Sequence, residues 1–518
     1  MSSAKRAGAQ LCATFLVLFS FAQGQQPTAK AGSPAEPNDA QSATTFESRT
    51  DLVLVPVVVR DKNGNHVSGL KKDAFHLEEN GKEQEISLFE EVKASTAAPS
   101  APPASELNFS NLPFDNMQHQ RLIIIVLDLL NTSPLQRADG KDQIVKFLSK
   151  GLTQNQPVSL VCLTMKGLEL VHPFSTDANV LIEALKKVPP GAERIIPIQE
   201  SVAQTLRQLR EIAHAYNGVP GRKTLIFAAG GIPDPQVEPA LYGGFSRSII
   251  SMGAFQQTWK NLVDANIAVY PFQVGAWGIN PASRRARSTD STLREFGEAT
   301  GGNRCVESNG LMSCLGEAVE DSQSYYMLGF TVGPEDRKPG WRDLKVKVAI
   351  EHANIRARSG FYYGTIERNG PPPTVRDIEI DALSSPLAYG AVPMYVRVLP
   401  PDSPSSGGPM PASSAGKKTV EFLVTIPLSS IKIDATSPNP LDLEVGAIAL
   451  NQEGKDAGEF THPLHGTPKP DLLQKLSREG IRLREKLDLP PGTYDVRVMT
   501  RDNNAGKIGT VVFPLDVK

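Results

Sequence analysis

The sequence predicts an α/β protein built on one parallel-dominated sheet with helices on both faces, flanked by β-sandwich modules. Three observations lead there. Between 119 and 321, apolar β-branched runs alternate with segments of helical periodicity, the order that produces a parallel sheet. On either side the pattern is strands and turns. Ala-, Ser- and Pro-rich stretches at 94–118 and 367–375 separate the three regions and are expected to be linkers. A chain of 518 residues has room for more than one core, and 40% hydrophobic against 21% charged residues lets most of it pack.

The N-terminus has the layout of a secretory signal. Lys5 and Arg6 supply positive charge, LCATFLVLFSFA (Leu11 to Ala22) supplies an apolar run, and Ala22-Gln23-Gly24 offers small residues for cleavage before Gln25. Residues 1–24 are therefore expected to be removed, the rival reading being an uncleaved anchor, with 25–47 a flexible leader. The apolar run is short for a membrane span, and RLIIIVLDLL, interrupted by Asp128, is shorter still. No membrane span is expected after cleavage, and the destination is the periplasm or the cell exterior. The net charge of −2, without a basic stripe, argues against nucleic acid as a partner.

The β module at 48–93 opens with LVLVPVVV, a continuous apolar run that reads as a strand buried on both faces. FHLEENGKEQEISLF follows as strand, turn and strand with Asn80-Gly81 at the tip. The module is small, so its strands are expected to pack with those at 322–366. In the central region RLIIIVLD, PVSLVCLT, LELVHP, RKTLIFAA and NIAVYPFQV read as strands. ADGKDQIVKFLSK, DANVLIEALKKV, SVAQTLRQLREIAHAY, GAFQQTWKNLVDA and STLREFGEAT read as helices. Residues 376–518 read as strands and loops. The phrase LPPGTYDVRV resembles the edge of immunoglobulin or fibronectin-III sandwiches, where a tyrosine, here Tyr494, bonds back to the backbone.

Several phrases in order resemble one family, the acidobacterial VWFA-related domain proteins. They are LVPVVVRDKNGNHVSGLKKDAFHLEENGKEQEISLF, RLIIIVLDLLNT, GRKTLIFAAGGIP, NIAVYPFQV, LREFGEATGG, EDSQSYYMLGFT and LKVKVAIEHANIRARSGFYY, covering roughly 50–365. The resemblance implies a Rossmann-like von Willebrand factor A-type domain in an exported protein. It implies no established activity.

A-type domains often hold Mg²⁺ through Asp-x-Ser-x-Ser, a Thr from a second loop and an Asp from a third. Hard oxygen ligands suit that ion. Here Asp128 and Thr132 match the ends of the first motif, Leu130 replaces its first Ser, and Thr176 is the candidate second-loop ligand. Gly230 and Gly231 stand where the second carboxylate belongs, with Asp234 a few residues on. The expectation is a degenerate site with weak or absent Mg²⁺ binding. The rival reading is that Asp128 and Asn131 only build the strand-to-helix turn, and that Thr176 caps a helix.

Cys305 and Cys314 lie in a turn-rich stretch and could form a local disulfide in an oxidising compartment, the alternative being two free thiols. Cys162, in an apolar run, is expected to be an inert core residue. His462 and His465 read as part of a loop without function. No serine elbow, phosphate loop, zinc-protease helix or CxxC is present. The expectation is a noncatalytic protein-binding or scaffold protein with a protein partner. The alternatives are a purely structural envelope component and an exported enzyme acting through its C-terminal β module.

Overall fold

The computed structural model describes residues 52–93, 108–112, 122–150, 156–189, 197–234, 252–275, 284–305, 311–366, 374–400 and 416–518. The expected signal and leader lie outside them. Leu52–Arg60 (β1), Phe75–Glu79 (β2), Lys82–Gln84 (β3) and Leu88–Lys93 (β4) come first, then Asn108–Ser110 (β5). The central region holds the strands Ile123–Asp128 (β6), Val158–Thr164 (β7), Gly167–Ser175 (β8), Lys223–Ala229 (β9) and Ile267–Gln273 (β10). Its helices are Pro134–Lys150 (α1), Ala178–Lys187 (α2), Ile198–Tyr216 (α3), Met252–Asp264 (α4), Arg284–Thr300 (α5) and Leu311–Asp321 (α6).

The continuous apolar run at β6 has both faces buried, and its residues divide between two cores. Ile124 and Val126 face α3, α4 and α5 through Val202, Leu206, Phe255, Leu293 and Phe296. Ile123, Ile125 and Leu127 face α1, α2 and α6 through Phe147, Leu181 and Leu315. The sheet order is β10-β9-β6-β7-β8, parallel except for the edge strand β8, which the two-residue turn after Thr164 sends back antiparallel. Cys162 is buried in the second core, where desolvation pushes its thiol up to about 12, an unreactive state.

The chain then returns to the first module with Ser324–Thr331 (β11), Gly340–Val348 (β12), Asn354–Arg356 (β13) and Gly360–Tyr363 (β14). β11 inserts between β1 and β4, and β12 between β2 and β14. The two resulting four-stranded sheets share a core of Val55, Val57, Phe75, Leu77, Tyr326, Leu328, Phe330 and Phe361. The β2–β3 hairpin turns at Asn80 and Gly81, both left-handed, with φ of 48° and 79°. One expectation fails here. β1 is buried on both faces only in its second half, because Leu52 and Leu54 stay exposed.

The last region holds Val375–Ser384 (α7), Tyr395–Val398 (β15), Lys418–Ile426 (β16), Leu441–Asn451 (β17), Asp456–Gly466 (β18), Pro470–Glu479 (α8), Ile481–Leu489 (β19), Gly492–Asp502 (β20) and Lys507–Val517 (β21). Its sheets, β19-β16-β15-β5 and β18-β17-β20-β21, close over Phe422, Val424, Leu443, Val496, Val511 and Phe513. Tyr494 Oη donates to the Pro490 carbonyl at 2.8 Å, the corner bond its context suggested.

Three boundaries need correction. The 94–118 stretch is not merely a linker, because β5 within it completes a C-terminal sheet. Phe109 stacks on Phe513 at 4.5 Å, and the buried Asn111 side chain bonds Tyr389, Val392 and Met394. Residues 376–384 are helical rather than extended, since Thr374 and Asp377 form a capping box that starts α7. THPLHG belongs to β18, where His462 stacks on Phe460 and lies 3.5 Å from Glu485.

Candidate functional site at the carboxyl end of the central sheet

Numbered in chain order within the sheet, the strands run 5-4-1-2-3, so the chain leaves the first strand, β6, toward both sides. In doubly wound sheets, ligands bind at such a switch point, outside the carboxyl ends of the strands. Asp128 ends β6 there, with no exposed surface. Its Oδ1 accepts from the backbone N–H of Leu130 at 2.8 Å and of Asn131 at 3.1 Å. Its Oδ2 accepts from Asn131 Nδ2 at 2.7 Å and from Thr205 Oγ1 at 3.5 Å. Burial raises the carboxyl pKa, and the Asn131 and Leu130 hydrogen bonds work against that rise.

The Thr132 hydroxyl is also engaged, donating to the Asp128 carbonyl and accepting from Gly230 N–H at 3.1 Å. Gly230 presses on this turn so closely that an added Cβ would lie 2.4 Å from the Asn131 carbonyl. The loops after β6 and β9 are thus zipped together across the switch point. Beyond this loop the Asp234 backbone N–H donates to Ser288 Oγ on α5 at 2.7 Å.

Thr176 is elsewhere. It follows Ser175, which pairs with Val158 at the amino end of β7, whereas Asp128 pairs with Leu163 near the carboxyl end. The antiparallel direction of β8 thus carries Thr176 about 16 Å down the sheet, five residues of strand. It cannot join a cation site with Asp128 and Thr132. Nor does it cap α2; that is Asp177, whose Oδ1 accepts from Asn179 N–H at 2.8 Å. The threonine that does reach Asp128 is Thr205 on α3. The sequence signal was weak: Thr205 is one of three polar residues, with Ser201 and Gln208, on the buried face of α3, and it reads as a helix residue, not a loop ligand.

Among the described residues no three His, Cys, Asp or Glu side chains are grouped to hold a metal ion. Cys305 and Cys314 are joined by a disulfide, with Cα atoms 5.6 Å apart, which ties the end of β10 to α6.

A second polar cluster, which sequence reasoning missed, lies where α6 meets the first module. Asp321 is fully buried and receives Arg60 Nε at 2.8 Å, Arg356 Nη1 at 2.6 Å and Tyr270 Oη at 2.7 Å. Burial alone would raise the Asp321 carboxyl, but Arg356, Arg60 and Arg222 outweigh it and hold the group below the usual carboxylate range. Arg60, Tyr270 and Arg356 lie 261, 51 and 35 residues from Asp321, so no local motif announces them.

No protein-family model matches the chain, and no curated protein matches it. Solved structures align with limited portions. One is an aerotolerance-related membrane protein from Bacteroides fragilis: 15% identity, 39% of this chain and 98% of that one, TM-score 0.25. Another is proximal thread matrix protein 1 from the mussel byssus: 13% identity, 39% of this chain and 48% of that one, TM-score 0.26. A third is the SpRpn10 VWA domain: 10% identity, 38% of this chain and 93% of that one, TM-score 0.23. Likenesses at these scores carry no weight for fold or function. Among the described residues no helix is long and apolar enough to cross a membrane.

Proposed function

We propose that the chain is an exported, noncatalytic protein-binding or scaffold protein. Its centre is a von Willebrand factor A-type domain with a degenerate cation site, flanked by immunoglobulin- or fibronectin-III-like β-sandwiches. The observation that carries this reading is the state of the switch point. Asp128, Asn131, Thr132, Thr205 and Gly230 use their polar groups on one another, so the crevice is spent on building the turn rather than on chemistry. What remains for a partner is the rim. Leu135, in the first turn of α1, is 83% exposed beside this site. The Cys305–Cys314 bond, with the signal-like N-terminus, supports an oxidising destination outside the cytoplasm.

The test uses the purified protein immobilised against envelope extract, with Leu135→Glu as the paired bait. A protein retained in fixed stoichiometry by the wild type and lost from Leu135→Glu is the expected result. Equal retention by both baits would overturn the rim as the contact surface. Calorimetry with Mg²⁺ addresses the cation site: micromolar affinity that disappears in Asp128→Ala would overturn the degenerate reading.

A further inference from the structure

At the opposite, amino end of the central sheet a cavity of about 430 Å³ lies between β1 and β14 on one side and α4, β10 and the end of α5 on the other. Its walls are largely apolar. Trp259 and Trp341 meet edge to face at 5.9 Å, and Leu54, Val263, Met327 and Phe361 continue the surface. Leu52 and Leu54, the two exposed leucines of β1, are part of this lining.

Two guanidiniums are set into these walls, Arg222 at 2% and Arg358 at 7% exposure. Each is anchored to backbone: Arg358 Nη2 donates to the Leu54 carbonyl at 2.7 Å and Arg222 Nη2 to the Gly301 carbonyl at 2.5 Å. Neither has a carboxylate at ion-pair distance among the described residues. Asp264, the acidic residue in the lining, is bonded to Lys260 at 2.6 Å. Arg222 Nε, Arg358 Nε and Trp259 Nε1 have no hydrogen-bond partner among the described residues, and Trp259 is itself 6% exposed. Burial pushes the Arg358 guanidinium down to about 10, against the pull of Asp264, which still leaves it a cation at neutral pH.

Buried charges are normally paired, and buried donors normally find acceptors. Here two buried guanidiniums line one cavity with no carboxylate at ion-pair distance among the described residues: Asp264, the acidic lining residue, is held by Lys260, and Asp321 reaches Arg222 only across Tyr270. We propose that this cavity binds a small carboxylate with an apolar body. The terminal guanidinium nitrogens of Arg222 and Arg358 receive the carboxylate, and the apolar part lies along Trp259, Trp341, Leu54 and Met327. The volume suits such a molecule. A bare inorganic anion would leave the aromatic walls without a role, and a neutral apolar ligand would leave the guanidiniums unpaired. The proposal is independent of the switch-point reading.

Octanoate is the probe, titrated into the purified protein by calorimetry and by tryptophan fluorescence, since two of the three tryptophans line the cavity. Saturable binding of one octanoate per chain is expected. Octanamide, which lacks the charge, and acetate, which lacks the apolar body, should each bind at least about tenfold more weakly. Arg358→Gln should weaken octanoate by a similar factor. Because that side chain is buried, Leu54→Glu serves as a second variant. Its carboxylate at an exposed position should weaken octanoate at least about fivefold more than it weakens octanamide, which loses only the apolar contact of Leu54. Absence of saturable octanoate binding, equal affinity for octanamide or acetate, or unchanged affinity in Leu54→Glu would overturn the proposal.

Discussion

Asp128 and Lys223 stand on adjacent strands of the central sheet, both fully buried, and are satisfied in opposite ways. Asp128 collects donors from its own turn. Removing the carboxylate in Asp128→Ala would orphan the Leu130 and Asn131 backbone N–H groups and loosen Asn131 Nδ2, at about 1–3 kcal/mol for each buried group left unpaired. We expect a loss of about 3 kcal/mol or more in urea denaturation, with Asp128→Asn, which keeps one acceptor, losing less. A neutral Asp128→Ala would mean that the turn does not depend on this network. Lys223 finds only carbonyls, those of Val219 at 2.6 Å and Gly221 at 2.9 Å, and burial pushes its ammonium down to about 7. In the unfolded chain a lysine keeps its proton to about pH 10.4. Between those values unfolding takes up a proton, so raising the pH disfavours unfolding and this residue's contribution to stability grows. Urea midpoints at pH 6, 8 and 10 should therefore rise for the wild type relative to Lys223→Met. A flat difference across that window would show that Lys223 is not desolvated.

At the scale of elements, what the sequence made legible is what depends on local pattern. The Ile123–Asp128 run has both faces buried because apolar residues occupy both parities, and Val202, Leu206, Leu209 and Ile212 on α3 pack as their spacing implies. Tyr494 and the Asn80-Gly81 turn are equally local. The misplaced elements depend on partners far along the chain. β5 is three residues in an Ala- and Pro-rich stretch, and only pairing with β15 makes it a strand. Thr176 is a different case: the two-residue link between β7 and β8 already forces an antiparallel strand, so its displacement from Asp128 was legible in the sequence. α6 was obscured by the turn residues before it, although the cysteine it carries was identified. That cysteine gives the element-scale prediction. The Cys305–Cys314 bond spans nine residues and fastens α6 to the edge of the central sheet. For a loop of that size, the paired substitution Cys305→Ser with Cys314→Ser should cost about 2–3 kcal/mol. Under alkylation without reduction, mass spectrometry should find neither cysteine modified. Both alkylated would show that the bridge does not form.

Across the whole chain, the first module and the central sheet are joined by charge as well as by apolar contact. Arg60 comes from β1, Arg356 from β13, Asp321 from the end of α6 and Tyr270 from β10, so one buried carboxylate is shared by two arginines and a tyrosine from four elements. Glu317 and Glu320 add outer contacts, Glu317 to Arg356 and Glu320 to Arg60 at 3.0 Å. Removing the central anion leaves two guanidiniums buried with these peripheral glutamates and, for Arg60, the Gly64 and Glu317 carbonyls, and breaking a buried pair in this way costs about 3–5 kcal/mol. The Asp321 carboxyl is held below its unfolded value, so its contribution is complete above about pH 4 and is lost as the pH falls through the folded value. We therefore expect Asp321→Asn to be several kcal/mol less stable than the wild type at pH 7, with the gap closing as the pH falls through the folded value and the wild type takes up the neutral acid as well. The loss should also be local. By hydrogen exchange at pH 7, amides of β1, β11 and β13 should lose protection in Asp321→Asn, while those of β6 and β9 keep theirs, since Tyr270 alone carries the cluster into their two cores and Arg60 and Arg356 belong to the first module. Uniform loss across β1, β6 and β9 would instead make Asp321 part of one indivisible folding unit rather than the latch between two.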